Sequence, residues 1–575
     1  MSFQNKRPLY LNQTSDVSSF SNPKTTEQNF ITCDPIKKYS DIEDCLSNLP
    51  QWVEKVVPLK KRCQYVVKNS LSDCHSIESD HYIHNRLDSR TVPKTLICHD
   101  YKGGYLTDSY VPVKDGDEKH IDKEGYTFYN WSQIDYFVYF SHHFITIPPL
   151  SWINAAHKNG VKILGTLITE FTDGAKICDE GIFNNRDSMK EFAFHLTEIV
   201  KLFGFDGWLL NIENEVKHPD LLKGFVEVLT QNIHKDNSEN IVIWYDSVTK
   251  DGKLLWQDQL NCENKCFFDL CDGIFLNYCW NEEKLANTVK CAGSRRFDVF
   301  VGVDVFGRNM FGGGQFNTFK AVELVSKYNL SMAIFAPGWT YETMDKNPEN
   351  TRFSRFLTRD DTFWFSLLPY LYTRPINDFF FTNFHLGLGQ NSYSLFIQEQ
   401  QTSRLLHPDR LNTIPQYETV LSLQNSCDCL KREYVGAKNV CLISKQGLRE
   451  NSRSIVHNIF LCDIKLQGKI GVSVQTENLN FMETFLDWVL LTVLPSGSLR
   501  KIKLLGERKS NVLDNVSILE VNPMEELEIK QNSTWHSIYL QKSNTKFLRF
   551  YEFTTSISTL LEIGPAFTMV IPYFC

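Results

Sequence analysis

The chain has 575 residues, of which 42% are hydrophobic and 22% charged, and its formal charge is −8. One compact core rarely grows beyond about 250–300 residues, so two or three domains are expected. The near-average composition excludes a fibrous or wholly disordered chain, and the acidic balance excludes a nucleic-acid binder that works by bulk charge.

Residues 1–35 are rich in Ser, Thr, Asn and Gln and read as a disordered arm. The polar start lacks the apolar stretch of a secretory peptide, and no run of 18 apolar residues follows. Neither export nor a membrane partner is expected. The 16 cysteines form no regular framework, which suits free thiols in a reducing compartment. The local pairs Cys262/Cys266 and Cys427/Cys429 lack the spacing of a zinc site. No metal and no cofactor is expected. The sequons at Asn12, Asn130, Asn515 and Asn532 carry no meaning without secretion. Residues 42–57 have helical spacing, with Trp52 as an anchor.

From about residue 92 the pattern changes. Short runs rich in β-branched and aromatic residues predict strands at 94–98, 135–140, 161–167, 206–210, 240–244, 272–277, 298–303 and 331–336. Their starts lie 26 to 45 residues apart, which leaves room for a crossover helix each time. Helices are expected at 149–159, 187–203, 219–232, 282–291 and 317–328. The strands are almost continuously apolar, as strands buried on both faces should be. The expected fold is therefore α/β: a (β/α)8 TIM barrel over residues 36–374, with an N-terminal extension. An open doubly wound sheet would want a Gly-x-Gly-x-x-Gly after its first strand, and there is none. Residues 375–575 carry strand-like segments at 392–398, 458–463, 469–476, 486–494 and 568–574 with polar turns, and read as one or two β-sandwich domains.

The fourth run reads Phe205-Asp206-Gly207-Trp208-Leu209-Leu210-Asn211-Ile212-Glu213. Catalytic groups of such barrels sit at the C-terminal ends of strands. Alternate residues share a face, so Leu209 would fill the barrel while Asn211 and Glu213 emerge at its mouth, about 6–7 Å apart. Partial burial can keep Glu213 protonated and able to give its proton to a leaving oxygen. The bland alternative is a helix cap or a solvated loop pair. Against it stand the other strand ends: Trp244-Tyr245-Asp246-Ser247, Asn277-Tyr278-Cys279-Trp280, Asp304 to Arg308, and Pro337-Gly338-Trp339. Rings interspersed with amides and carboxyls suit a carbohydrate cleft, so Trp244, Asn277, Tyr278, Asp304 and Trp339 are candidate substrate-binding residues. Tyr245 and Asp246 oppose each other in parity, and Tyr245 is expected to face the site. Asp206 is expected to point to the other face and hold the strand end in a structural role, and Glu215 to lie past the turn. Gly312-Gly313-Gly314 lacks a following Lys-Ser/Thr and reads as a rim loop. His142-His143 could line the cleft, although a structural role is the commoner case.

Taken together, residues 205–213, Trp244 to Ser247, Asp272 to Tyr278 and Phe335 to Trp339 resemble the cytosolic endo-β-N-acetylglucosaminidases, glycoside hydrolase family 85. The resemblance spans about residues 35–389. It implies a cytosolic enzyme that cuts the β-1,4 bond between the two GlcNAc residues of the N-glycan core, on N-glycoproteins, high-mannose N-glycans and free oligosaccharides. It also implies retention of configuration, with the substrate's own acetamido oxygen as nucleophile and an oxazolinium intermediate. By that resemblance Glu213 is the general acid and base, Asn211 orients the acetamido group, Tyr245 hydrogen-bonds it, and Trp256 and Trp280 are cleft aromatics. An amide beside the acid fits this, because substrate-assisted enzymes are the exception to the two-carboxylate rule. Chitinase-like barrels carry Asp where Leu209 and Asn211 stand, so a chitinase-like hydrolase is a lesser reading. A glycan-binding protein on an inactive barrel is another. Branch preference, transglycosylation and oligomeric state are not legible.

Overall fold

The computed structural model describes residues 30–68, 86–112, 126–345 and 352–377, and beyond them the backbone of the strands named below. Eight parallel strands form a closed barrel. They are β1 (Thr95–His99), β2 (Tyr136–Tyr139), β3 (Lys162–Glu170), β4 (Gly207–Glu213), β5 (Ile241–Tyr245), β6 (Gly273–Leu276), β7 (Val299–Asp304) and β8 (Ser331–Phe335). Each pairs with its neighbours in sequence, and β8 closes onto β1. All eight expected strands are present within a few residues of their expected bounds. The largest difference is at β3 and β4, which run three residues further than the apolar runs suggested. Backbone pairing continues there through Ile168-Thr169-Glu170 and Asn211-Ile212-Glu213. The extension brings Glu170 into register with Glu213.

Inward and outward faces alternate as a barrel requires. Leu96, Val138, Leu164, Leu209, Ile243, Phe275, Phe300 and Ala333 are among the residues that fill the interior. Outward residues such as Leu210, Trp208 and Trp244 join the larger core beneath the helices. Gly207, at φ 136°, starts β4 where a Cβ would lie 1.9 Å from the Ile241 carbonyl. No side chain fits that close approach to β5.

The outer layer comprises α1 (Leu150–Lys158), α2 (Arg186–Phe203), α3 (Pro219–Asp236), α4 (Lys265–Leu270), α5 (Glu282–Ala292), α6 (Thr318–Lys327) and α7 (Arg352–Leu367). The five expected helices are all there. α2 shows why. Asn185 accepts hydrogen bonds from the Asp187 and Ser188 amides at 2.9 and 3.0 Å, and left-handed Gly204 ends the helix. Between these caps Phe192, Leu196 and Val200 repeat at helical spacing and are buried.

Three expectations need correction. The β1–β2 connection contains no α-helix among its described residues. It carries instead the strand Tyr110–Pro112, paired with Phe30–Thr32. Those last residues fall inside the expected disordered arm, yet Cys33 and Ile36 are buried and Ile36 bridges to Ile145. Apolar residues hidden in a polar stretch anchor it. Finally, residues 42–57 do not form one helix: a short helix Ile42–Ser47 and a 3-10 turn Gln51–Lys55 flank Pro50. Proline disfavours helix in the residue before it, which breaks the run. Trp52 is the anchor expected, packed 5.4 Å from Phe203.

Past the barrel, the described strands pair antiparallel. Ile455–Lys465, Thr534–Ser543, Phe485–Val493 and Leu499–Leu504 make one sheet; Lys469–Glu477 joins Arg549–Ser558 and Val516–Val521 in another. The strands expected at 458–463, 469–476 and 486–494 fall on these. Those expected at 392–398 and 568–574 lie outside the described residues.

Candidate active site

β4 carries the central pair. Leu209 lies in the barrel interior, so Asn211 and Glu213 follow it on the same face toward the C-terminal mouth. Asn211 is buried and Glu213 half-buried. Glu215 lies past the end of the strand and is exposed.

On one side of β4 stands Tyr245, the last residue of β5. It is turned inward with Leu209 and Ile243. Its hydroxyl donates to Asn277 Oδ1 at 2.9 Å, and its ring meets Phe275 edge-on at 5.4 Å. Asp246 has the opposite parity. Only 1% exposed, its carboxylate accepts from the Asp258 amide at 2.7 Å, Asn264 Nδ2 at 2.8 Å and the Gln257 amide at 3.3 Å. Burial pushes its pKa up to about 6, against those hydrogen bonds. Asp246 ties down the loop after β5, while Tyr245, of opposite parity, faces the interior.

On the other side of β4 stands Glu170, three residues past the expected end of β3 at Leu167. Glu170 shares the inward parity of Ile168 and pairs in register with Glu213. Adjacent strands place the two backbones about 4.8 Å apart. His142 Nδ1 lies 3.0 Å from Glu170 Oε2. That bond raises the His142 pKa above its usual value against partial burial, and the Asp100 and Glu213 carboxylates add to the rise. His142 is thus a rim residue rather than a structural one. Phe171, next in the chain, is 73% exposed at φ 55°, a strained backbone at the mouth.

The remaining candidates divide. Tyr278 is half-buried at the mouth, its ring 5.7 Å from Phe335, and burial raises its phenol well above the usual range. It stands over Gly302, where a Cβ would lie 2.9 Å from its ring. Trp256 is half-buried against the interior cluster. Asn277 is held between Tyr245 and Asp258, whose Oδ1 accepts from Asn277 Nδ2 at 2.7 Å. Asp304 is buried and accepts from the Phe306 and Arg308 amides at 3.0 and 3.2 Å and from Arg308 Nε at 2.7 Å. It therefore aims Arg308 at the rim instead of meeting a ligand.

Three tryptophans are closed to a ligand as they stand. Trp244 has 0% exposure and stacks on Phe267 at 4.1 Å, on the outer side of β5. Strand alternation decides this: Tyr245 faces in, so Trp244 faces out. Trp280 is buried, donating from Nε1 to the Gly302 carbonyl at 2.7 Å. Trp339 is buried, covered by the Arg359 guanidinium at 4.1 Å and by Phe316. Asp206 also has the structural role expected of it, at the opposite end of β4, bonded to His157 Nε2 at 3.0 Å and to the Ile163 amide at 2.8 Å.

An inward amide and a half-buried carboxyl on one strand end, with a tyrosine hydroxyl on the next, are a glycosidase's tools. The comparison with known families agrees: residues 110–392 match the model for glycosyl hydrolase family 85. The chain is 44% identical over 329 residues to cytosolic endo-beta-N-acetylglucosaminidase of Mus musculus, covering 56% of this chain and 43% of the relative. It is 43% identical over 303 residues to cytosolic endo-beta-N-acetylglucosaminidase 1 of Arabidopsis thaliana, covering 52% and 43%. The match takes in less than half the length of these curated relatives. Among solved structures, the glycoside hydrolase domain of Endo-D from Streptococcus pneumoniae is similar in fold, with a TM-score of 0.65. It is 17% identical, and the match covers 93% of this chain and 84% of that one. The family 85 match covers β2 to β8 and so every strand end described above except that of β1.

Proposed function

We propose that the barrel hydrolyses the β-1,4 bond between the two GlcNAc residues of the N-glycan core, with retention and with help from the substrate. Glu213 gives its proton to the glycosidic oxygen as the C1–O bond breaks. The acetamido oxygen of the same sugar bonds to C1 and forms an oxazolinium. The Glu213 carboxylate then takes a proton from water, the water oxygen attacks C1, and the acetamido C–O bond to C1 opens. Asn211 and Tyr245 hold the acetamido group in line for that attack. Holding a reacting group in a near-attack position and transferring its proton are each large effects. The observation that carries this reading is the common inward face of Asn211 and Glu213 at the end of β4. The names of the relatives support the substrate class and a cytosolic location. Among the described residues, no helix is long and apolar enough to cross a membrane. Trp256 and Tyr278 are the aromatic surfaces we assign to sugar stacking. Residues 375–575 we read as a β-sandwich support, in keeping with their antiparallel sheets.

The test is incubation with a high-mannose N-glycopeptide, followed by mass spectrometry. The expected products are a glycan ending in one GlcNAc and a peptide keeping the other. Binding without release would leave an inactive glycan-binding barrel, and cleavage of chitin oligomers in preference would make the enzyme chitinase-like.

The register of β3 on β4 favours one rival mechanism. Glu170 lies beside Glu213, and two carboxyls about 5–5.5 Å apart serve a conventional retaining enzyme, with one as nucleophile. A substrate with a free amine in place of the acetamide at the cleaved sugar separates the two. Substrate assistance predicts no cleavage of it, whereas a Glu170 nucleophile would still cut.

A further inference from the structure

Behind Tyr245 runs a chain of side chains that the reaction scheme above does not use. Lys284 Nζ sits 2.8 Å from Asp258 Oδ2. Asp258 Oδ1 accepts from Asn277 Nδ2 at 2.7 Å and from the Cys279 amide at 3.1 Å. Asn277 Oδ1 then accepts from the Tyr245 hydroxyl at 2.9 Å. Asp258 is buried, and its backbone is in the left-handed region at φ 56°. A non-glycine residue there is strained and persists only where its surroundings hold it. Here Asp246 holds it, accepting the Asp258 amide at 2.7 Å.

The direction of the bonds along this chain is forced. A carboxylate has no hydrogen to give, so the Asn277 amide must turn its NH2 toward Asp258. Its oxygen therefore faces Tyr245, and the phenol must donate to it. The tyrosine proton is thus committed to Asn277, and a phenol oxygen that donates its proton keeps its acceptor capacity. We propose that Asp258 is a positioning residue: acting through Asn277, it fixes the Tyr245 hydroxyl as a hydrogen-bond acceptor for the acetamido N–H of the sugar at the cut. This rests on the endoglycosidase reading. As the acetamido oxygen bonds to C1, positive charge develops on the N–H, and an acceptor there gains strength in the transition state over the ground state. Such an interaction raises kcat more than it lowers KM.

The experiment is a double-mutant cycle on glycan release, with wild-type turnover measured first. Absence of wild-type turnover would sink the parent reading; the cycle, run on an active enzyme, judges this one. Asp258→Asn lets the facing amide turn either way. It is expected to lower kcat about tenfold or more, with KM changed by less than about threefold. In a Tyr245→Phe background there is no hydroxyl to direct, so Asp258→Asn should lower kcat no further. Asn277→Ser, which leaves the Asp258–Lys284 pair in place, should show the same loss alone and the same lack of effect beside Tyr245→Phe. This second arm decides if Asp258→Asn does not fold. Multiplicative losses in the Tyr245→Phe background would mean a purely structural role and overturn the proposal. So would full kcat in Asp258→Asn, or a Tyr245→Phe enzyme as fast as wild type.

Discussion

The two ends of the barrel hold the same kinds of acid in opposite circumstances. At the N-terminal end, Asp135, Asp206, Asp272 and Asp298 directly precede β2, β4, β6 and β7. Three of them take the backbone amide of a neighbouring strand: Asp135 from Thr95 at 2.9 Å, Asp206 from Ile163 and Asp272 from Val242, both at 2.8 Å. All four also have a cationic or imidazole partner, namely Arg374, His157, His234 and Lys94. At the C-terminal end, Asp100, Glu170, Glu213 and Glu342 share the neighbourhood of His142 and Arg308 around the mouth. The lesson is that a carboxylate closed by a strand amide and a base is architecture, whereas the rim acids gather around His142 and Arg308 at the end where barrels of this kind place their chemistry.

Substitutions at the two ends should therefore fail in different assays. Glu213→Gln, at the rim, should cut glycan release by about 10²–10⁴-fold while leaving the melting temperature near wild type, since it removes only the transferable proton. A variant with normal turnover would remove Glu213 from its role. Trp244→Ala, on the outer face of β5, should cost about 3–5 kcal/mol in denaturant unfolding, with KM unchanged in the folded fraction. A raised KM at unchanged stability would return Trp244 to the cleft. Asp206→Asn, at the closed end, leaves His157 facing an amide and should cost about 3 kcal/mol of stability with kcat preserved. The smallest effect concerns Asp246. Its pKa is held at about 6 in the folded chain, above the ordinary carboxylate value. Between about pH 4 and 6 the native state keeps a proton that the unfolded chain has lost, so this group's contribution to stability falls as pH rises through that window. The stability difference between wild type and Asp246→Asn should shrink from pH 4 to 6 by at most about 3 kcal/mol and stay level above. A flat difference across the window would contradict the raised value.

How much of the site was legible varied with the kind of signal. Asn211 and Glu213 followed from alternation, because Leu209 fixes which parity of β4 is inward, whereas on β5 alternation said only that one of Tyr245 and Asp246 faces in and the family resemblance favoured Tyr245. Trp244 was misassigned although the same rule, applied to Tyr245, excludes it. Glu170 was missed because the expected strand stops at Leu167, short of the apolar Ile168, and pairing with β4 carries β3 on to Glu170. Asp258 had no signal at all. It sits in an irregular loop, and only folding brings it to Asn277, 19 residues on.

The sequence by itself determined the eight-strand count, five of the outer helices and the strand that bears Asn211 and Glu213. These depend on local periodicity and spacing, which are properties of short stretches. The tertiary structure decided which polar groups face one another: Glu170 against Glu213 and Asn277 between Tyr245 and Asp258. It also decided which tryptophans are covered. Those outcomes depend on register and loop packing between segments far apart in the chain, and nothing in a short window of residues encodes them.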